Sequence, residues 1–182
     1  MGTTGLVATL HSSARSPVVE SASRRDALVA DLFDAHAAGL YRLAVAMLRE
    51  PHEAHDVVQD TFIRLIAHVA AGGPLPNARG WLYTVAAHAC RDRQRRLQRW
   101  LPWIAERDRR LSGDDADAHD GPAVVIAAVR ALPPRDRLLV ALRAQGLSYQ
   151  DIAAAARIRP GSVGRLLARA LDRLAAHLDG TA

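Results

Sequence analysis

The stretch GLSYQDIAAAARIRPGSVGRLLARAL, residues 146–171, decides the fold of the C-terminal part of the chain. Ser148 is followed three residues later by Asp151, the spacing with which a hydroxyl and an acidic side chain cap the first turn of a helix. Gly146 suits the end of a preceding helix, because glycine readily adopts the left-handed backbone that closes one. Pro160 fits only at or near the start of a following helix. The stretch therefore predicts two short helices joined by a tight turn.

The second helix of this pair carries two contrasting faces. A helical wheel places apolar side chains on one face: Val163, Leu166, Leu167, Ala170, Leu171, Leu174 and Leu178. Arginines lie on the opposite face, and arginine makes bidentate contacts with guanine and with phosphate. We expect base contacts from Arg165 and Arg169, and the full predicted set for duplex DNA is Arg159, Ser162, Arg165, Arg169 and Arg173. The alternative is an ordinary solvated arginine face on a surface helix.

The charge of the chain favours a phosphate-bearing partner. All 24 basic residues are arginine, and the formal net charge is +5. Such a balance is typical of nucleic-acid binding, although a lysine-free, alanine-rich chain equally reflects a GC-rich genome. The single cysteine, Cys90, excludes an internal disulfide. The sequence shows neither a signal peptide nor an apolar run long enough for a membrane span, so we expect a cytoplasmic protein without membrane insertion.

The remaining sequence is helical in its periodicity, and no segment alternates as a strand does. The predicted fold is all-α, with two small helical domains joined by a flexible linker and a helix-turn-helix in the second. In chain order the predicted parts are a flexible N-terminal arm over 1–23, a helical domain over 24–99, an acidic linker over 100–121 and the helix-turn-helix domain over 122–178.

The core of the first domain is predicted from apolar residues that recur at three- and four-residue intervals. They suit one helix, or two helices flexed near Gly39. Trp81 and Cys90 are predicted to be core residues of a later helix. The stripe consists of Leu28, Val29, Leu32, Phe33, Leu40, Leu43, Ala44, Met47 and Leu48.

Two blocks of sequence in order resemble one protein family. ALPPRDRLLVALRAQGLSYQDIAAAARIRPGSVGRLLARAL is similar to the C-terminal DNA-binding domain of the extracytoplasmic-function sigma factors. HEAHDVVQDTFIRLI followed by RGWLYTVAAHACRDRQRR is similar to their N-terminal domain. The resemblance implies a factor that binds core bacterial RNA polymerase, directs it to promoter DNA and initiates transcription, with an anti-sigma protein as a further partner.

The resemblance also implies roles for residues of the first domain. The polymerase contact falls on DVVQDTF, where the wheel turns Asp56, Gln59, Asp60 and Ile63 away from the core. An isoleucine exposed among polar residues is typical of a partner-binding patch, although a solvated acidic face is the alternative. The promoter-opening element falls on a basic helix and the loop before it, and the residues expected to hold the melted strand are Asn77, Arg79, Thr84, His88, Arg91 and Arg95.

The sequence departs from the family in two places that, by the resemblance, contact DNA. Ala87 and His88 stand where the family has arginine and asparagine, and Gly164 interrupts the usual pattern of the recognition helix. Both departures affect DNA contacts, so the promoter sequence does not follow from the family.

The sequence contains no convincing arrangement for catalysis. His52 and His55 could chelate a metal but lack a third ligand, and no nucleophile, pair of carboxylates or phosphate-binding loop emerges. We expect a protein that is not an enzyme and takes no cofactor, metal or small-molecule substrate. Two alternatives stay open: a free-standing helix-turn-helix transcriptional regulator, and an interaction protein whose DNA surface has degenerated.

Overall fold

The computed structural model describes residues 17–48, 50–108 and 121–180. Within these ranges the chain forms seven α-helices, one 3₁₀ turn and no strand, which confirms the all-α prediction. None of these helices combines the length and the apolar character that a membrane span requires. In order they are α1 (Pro17–Leu48), α2 (Pro51–Ala70), α3 (Ala78–Asp108), α4 (Gly121–Ala131), α5 (Pro134–Ala144), α6 (Tyr149–Ala156), the 3₁₀ turn (Pro160–Ser162) and α7 (Val163–Asp179).

Helices α1–α3 form an N-terminal bundle, and α4–α7 form a C-terminal bundle. The helix α3 continues to Asp108, so it extends into the region predicted as a linker. Helix α1 begins at Pro17, inside the region predicted as a flexible arm. The rest of the arm, residues 1–16, and the acidic part of the linker, residues 109–120, lie outside the described residues.

Helix α1 runs unbroken through Gly39, so it is one helix rather than two. Gly39 is buried, and a Cβ atom at this position would lie 2.1 Å from the hydroxyl of Tyr83 in α3. Glycine is therefore required here because α1 and α3 approach each other closely. It is a packing position and not a flexible joint.

The core is continuous across the two bundles. Leu43 of α1 and Leu82 of α3 belong to the same buried cluster as Leu142 of α5 and Ile152 of α6. The bundles are joined where α6 packs against α3 and where α5 and α4 pack against α1. A smaller cluster lies within the C-terminal bundle and contains Leu132, Val140 and Ala170.

The predicted apolar stripe of α1 is only partly buried. Leu28 and Phe33 are 41% and 48% exposed, and no described side chain of α1 before Gly39 is buried. Periodicity identified the correct face of the helix, but the face is covered only where neighbouring helices reach it. The ring of Phe33 lies 4.9 Å from that of Phe62 in α2, at the edge of the core.

The prediction for Cys90 is confirmed, and Trp81 lies at the margin of the core. Cys90 is fully buried, and burial raises the pKa of its thiol to about 12. Trp81 is half-buried and packs beside the imidazole of His68, with ring centroids 5.1 Å apart.

Candidate nucleic-acid interface

The predicted helix-turn-helix is formed by α6, the 3₁₀ turn and α7. The Ser148 hydroxyl oxygen accepts a hydrogen bond from the backbone N–H of Asp151 at 3.1 Å, which confirms the cap. The same hydroxyl donates to the Asp151 carboxylate at 2.6 Å. Gly146 closes α5 with a φ of +72°, as its position predicted. Arg157 ends α6 in the left-handed conformation, at φ 56° and ψ 49°.

Helix α7 buries one face and exposes arginines on the other. Val163, Leu167 and Ala170 are buried. Arg165 and Arg169 are exposed, in positions from which a major groove could be reached. The predicted apolar face is wrong at one position, because Leu171 is 45% exposed. The turn of α7 that carries Leu171 faces solvent on that side.

The other three residues predicted for duplex DNA differ in their surroundings. Arg159 is exposed just before the 3₁₀ turn, and Ser162 is half-buried at its end. Arg173 forms an ion pair with Asp136, whose side chain is only 8% exposed. Asp136 is therefore a buried carboxylate that is neutralised by Arg173, and this pair ties α7 to α5.

The start of α3 contacts the C-terminal bundle through Asn77. The side-chain oxygen of Asn77 accepts a hydrogen bond from the N–H of Gly80 at 2.9 Å, so Asn77 caps α3. Its amide nitrogen donates to a carboxylate oxygen of Asp151 at 2.7 Å. A Cβ at Gly80 would lie 2.3 Å from this carboxylate oxygen, so only glycine leaves room for the contact.

Two arginines of α3 donate to main-chain carbonyl groups of the C-terminal bundle. Arg79 donates to the carbonyl of Gln145, the residue that follows α5. Arg91 donates to the carbonyl of Ala155 near the end of α6, at 2.7 Å. These carbonyl groups belong to helix ends, which carry partial negative charge and lack helical partners.

Thr84 and His88 lie between these contacts on the same face of α3. Thr84 lines an open cavity of about 310 Å³ together with Asp151 of α6. The guanidinium of Arg157 lies against the imidazole of His88, with its Nε 3.2 Å from Nε2 of the ring. Burial lowers the pKa of His88, and the charges of Arg91 and Arg157 lower it further. Arg95, one turn further along α3, is exposed.

The face of α3 that was predicted to hold the melted strand is thus partly covered by α6. The wheel placed this face opposite the buried one and therefore in solvent. That expectation is wrong for the middle of the face, where α6, a helix with a run of four alanines over 153–156, packs on α3 and leaves Thr84, His88 and Arg91 half-buried. At its two ends Asn77, Arg79 and Arg95 remain exposed. Asp151, Gln145 and Arg157 are the partner residues that the sequence pattern did not identify.

The polymerase-binding prediction falls on the outer face of α2. Asp56 and Gln59 are exposed, and Ile63 is 55% exposed. Ile66, one turn later, is 53% exposed and was missed, although its spacing from Ile63 places both on one face. The two isoleucines form an apolar patch beside polar residues.

Asp60 is engaged within the N-terminal bundle. Its carboxylate lies 2.7 Å from the guanidinium of Arg93 in α3, and Glu53 contacts the same guanidinium at 2.9 Å. Burial alone would lower the pKa of Arg93, but the hydrogen bonds and charges of the two carboxylates outweigh this and raise it. Asp60 therefore fixes α2 to α3.

Comparison with protein families identifies both bundles. A model described as Sigma-70 region 2 matches residues 32–100, and a model described as Sigma-70, region 4 matches residues 123–174. The two matches lie on the N-terminal and C-terminal bundles respectively.

Individual relatives are sigma factors. The chain is 32% identical over 146 residues to the ECF RNA polymerase sigma factor SigM of Mycobacterium tuberculosis, a match that covers 79% of this chain and 74% of SigM. It is 32% identical over 156 residues to the ECF RNA polymerase sigma factor SigE of Mycolicibacterium smegmatis, covering 81% of this chain but 60% of SigE. It is 28% identical to the RNA polymerase sigma factor CarQ of Myxococcus xanthus, a match that covers 79% of this chain and 85% of CarQ.

Two solved structures share the fold. One is the sigma factor RpoE in complex with the anti-sigma factor NepR from Bartonella quintana, with a TM-score of 0.63, 20% identity, and coverage of 88% of this chain and 98% of that one. The other is CnrH in complex with the cytosolic domain of CnrY, with a TM-score of 0.65 and 24% identity. This match covers 90% of the present chain and 96% of the similar chain. At these identities the likeness establishes the fold.

Proposed function

This chain belongs to the extracytoplasmic-function sigma factor family, and we propose that it binds core RNA polymerase, directs it to specific promoters and initiates transcription. The observation that carries the proposal is that the two sigma regions match the two bundles in the family's order. On this proposal the N-terminal domain, residues 24–99, docks on polymerase and opens the promoter. The C-terminal domain, residues 122–178, holds the duplex upstream element, and residues 100–121 link the two domains.

The C-terminal bundle would bind the upstream promoter element through α7. Arg165 and Arg169 would read base edges, because their guanidinium groups are exposed and suit bidentate contacts. Arg159 and Ser162 would contact phosphates near the 3₁₀ turn. We assign Arg173 a weaker contribution, since DNA would compete with the buried carboxylate of Asp136 for it.

The N-terminal bundle would hold the melted strand on α3, once α6 has moved away. Asn77 and Arg79 would contact an extruded base, while the side chains that follow along α3 would hold the backbone: Thr84, His88, Arg91 and Arg95. Three of the six predicted residues donate hydrogen bonds to the C-terminal bundle. Promoter opening therefore requires that those hydrogen bonds be exchanged for contacts with DNA.

Polymerase would dock on the outer face of α2. Asp56, Gln59 and Ile63 are the predicted contacts, and Ile66 extends their apolar part. Asp60 would assist by holding α2 in place through Arg93. The area is small, so we expect individual contacts to be weak and the two bundles to reinforce each other on polymerase.

We further propose that an anti-sigma protein restrains the factor, that it acts in the cytoplasm, and that it is not an enzyme. The support for the first is that one of the similar structures is a sigma factor, RpoE, bound by an anti-sigma factor, NepR, and that the other, CnrH, is also bound by a protein partner. The support for the last is the family itself, whose members act as initiation factors.

The test is transcription in vitro with core RNA polymerase, the purified chain and a fragment library of its source genome. We expect discrete starts that share two sequence elements at fixed spacing. The double variant R165A/R169A should lose these starts yet still co-purify with polymerase, and I63A/I66A should lose polymerase binding. Failure of the unaltered chain to bind polymerase would favour the free-standing helix-turn-helix regulator. Binding without starts would favour the interaction protein.

A further inference from the structure

A second basic site lies between the bundles, apart from α7. A cavity of about 420 Å³ is found where α1, α3, α5 and the end of α6 meet. Arg91 of α3, Arg135 of α5 and Arg157 at the end of α6 line it, and none of the described residues that line it is acidic. The volume is within the range of small-molecule sites. The cavity therefore collects positive charge from three separate segments.

Among the described residues, no ion pair involves Arg91, Arg135 or Arg157, the three arginines of this cavity. Arg91 is satisfied in part by the carbonyl of Ala155, and Arg157 by the neutral ring of His88. Burial lowers the pKa of Arg91, and the next largest cause is the charge of Arg157. The two guanidinium groups thus repel each other across the boundary between the bundles.

The backbone at Arg157 supports a role for this side chain. Among the described residues, it is the one non-glycine residue with a positive φ. Glycine would adopt this conformation without strain, so the helix end alone does not require arginine. Arginine nevertheless occupies this position, and its side chain lines the cavity.

We propose that this cavity binds a small oligophosphate anion, the class that includes tripolyphosphate and the phosphate chain of a nucleotide. Guanidinium forks match the geometry of phosphate oxygens, and three arginines line this cavity. Met47, Leu138 and Ile158 line an apolar part of the cavity beside them, which leaves room for an organic group. An anion bridging α3 to α5 and α6 would hold the bundles together and oppose exposure of the α3 face.

The experiment is thermal unfolding of the full chain with sodium tripolyphosphate or ATP, against sodium chloride at equal ionic strength. It contains neither polymerase nor DNA, so its result is independent of the proposed function. The arginines of α7 would also attract polyanions, so the measurement is repeated in R165A/R169A, which leaves the cavity intact. The variant R135A/R157G removes two cavity arginines, and its glycine relieves the strained backbone and preserves the fold.

We expect tripolyphosphate at a hundredfold excess over its Kd to raise the Tm by about 5–10 °C. The rise should persist in R165A/R169A and vanish in R135A/R157G, whose own Tm should not fall below that of the unaltered chain by more than a few degrees. A larger rise with ATP than with tripolyphosphate would assign a nucleotide to the cavity. No rise, or a rise that persists in R135A/R157G and is lost in R165A/R169A, would overturn the proposal.

Discussion

Replacing Asp151 by alanine should weaken the closed arrangement of the two bundles. The Asp151 carboxylate accepts the hydrogen bond from the Asn77 amide at 2.7 Å, across the boundary between α6 and α3. A hydrogen bond to a charged group contributes about 1.5–3 kcal/mol. Because this hydrogen bond is exposed, we expect its removal to destabilise the closed chain, in which α6 packs on α3, by about 1 kcal/mol relative to the open chain, in which the two bundles are apart. The ratio of open to closed chains should then rise by a factor of about five.

The assay is binding of a fluorescent single-stranded oligonucleotide that carries the downstream element of a mapped promoter. If the α3 face is free only in the open chain, the apparent Kd varies inversely with the open fraction. Asp151→Ala should therefore lower the apparent Kd about fivefold while it lowers the Tm slightly.

Two variants separate the contact from its side effects. Ser148→Ala removes the cap of α6 but leaves the Asn77 contact, so it should lower the Tm and leave the apparent Kd within about twofold of the starting value. Asp151→Asn removes the charge but keeps an oxygen for Asn77. Equally tight binding by Asp151→Ala and Asp151→Asn would refute a role for the Asn77 contact, because charge alone would then explain the gain.

Three further predictions concern two glycines, the cysteine and two histidines. Gly39→Ala should lower the free energy of unfolding by about 1–2 kcal/mol in chemical denaturation, since its Cβ would lie 2.1 Å from a buried tyrosine hydroxyl. Gly164→Ala should raise it by about 0.5–1 kcal/mol, because the nearest neighbour of its Cβ lies at an ordinary contact distance of 3.5 Å. Cys90, with a pKa of about 12, should resist a thiol reagent at pH 8 until the chain is unfolded by guanidinium, and rapid reaction of the folded chain would contradict its burial. Burial, reinforced by nearby arginines, lowers the pKa of His88 and of His36 in the folded chain. As the pH falls, these histidines are therefore protonated more readily in the unfolded chain than in the folded one, which favours unfolding. The Tm should consequently fall as the pH drops below about 6.5. His88→Gln should flatten part of this slope, and an unchanged slope would exclude His88 as a source.

Local signals in the sequence were enough to predict the helices and their ends. Ser148 and Gly146 act through atoms within a few residues of themselves, so their effects can be read from spacing alone. The buried face of α7 was also predicted correctly at Val163, Leu167 and Ala170, because a helix on a domain surface needs one apolar stripe.

Contacts between distant parts of the chain could not be predicted in this way. Asn77 and Asp151 are 74 residues apart, and neither carries a local pattern that points to the other. Leu28 shows the same limit, because periodicity assigns it to the inner face but cannot say whether another helix reaches that turn. The covered face of α3 was missed for this reason.

The continuous core also determines how the chain should respond to heat. Leu43 and Leu82 share one buried cluster with Leu142 and Ile152, so the two bundles have the larger part of their interior in common. A unit that shares its interior with a neighbour loses packing when the neighbour melts, and the two then unfold in one cooperative step. Calorimetry of the free chain should show a single transition, with calorimetric and van't Hoff enthalpies equal. Any partner that holds the bundles apart should divide that transition into two.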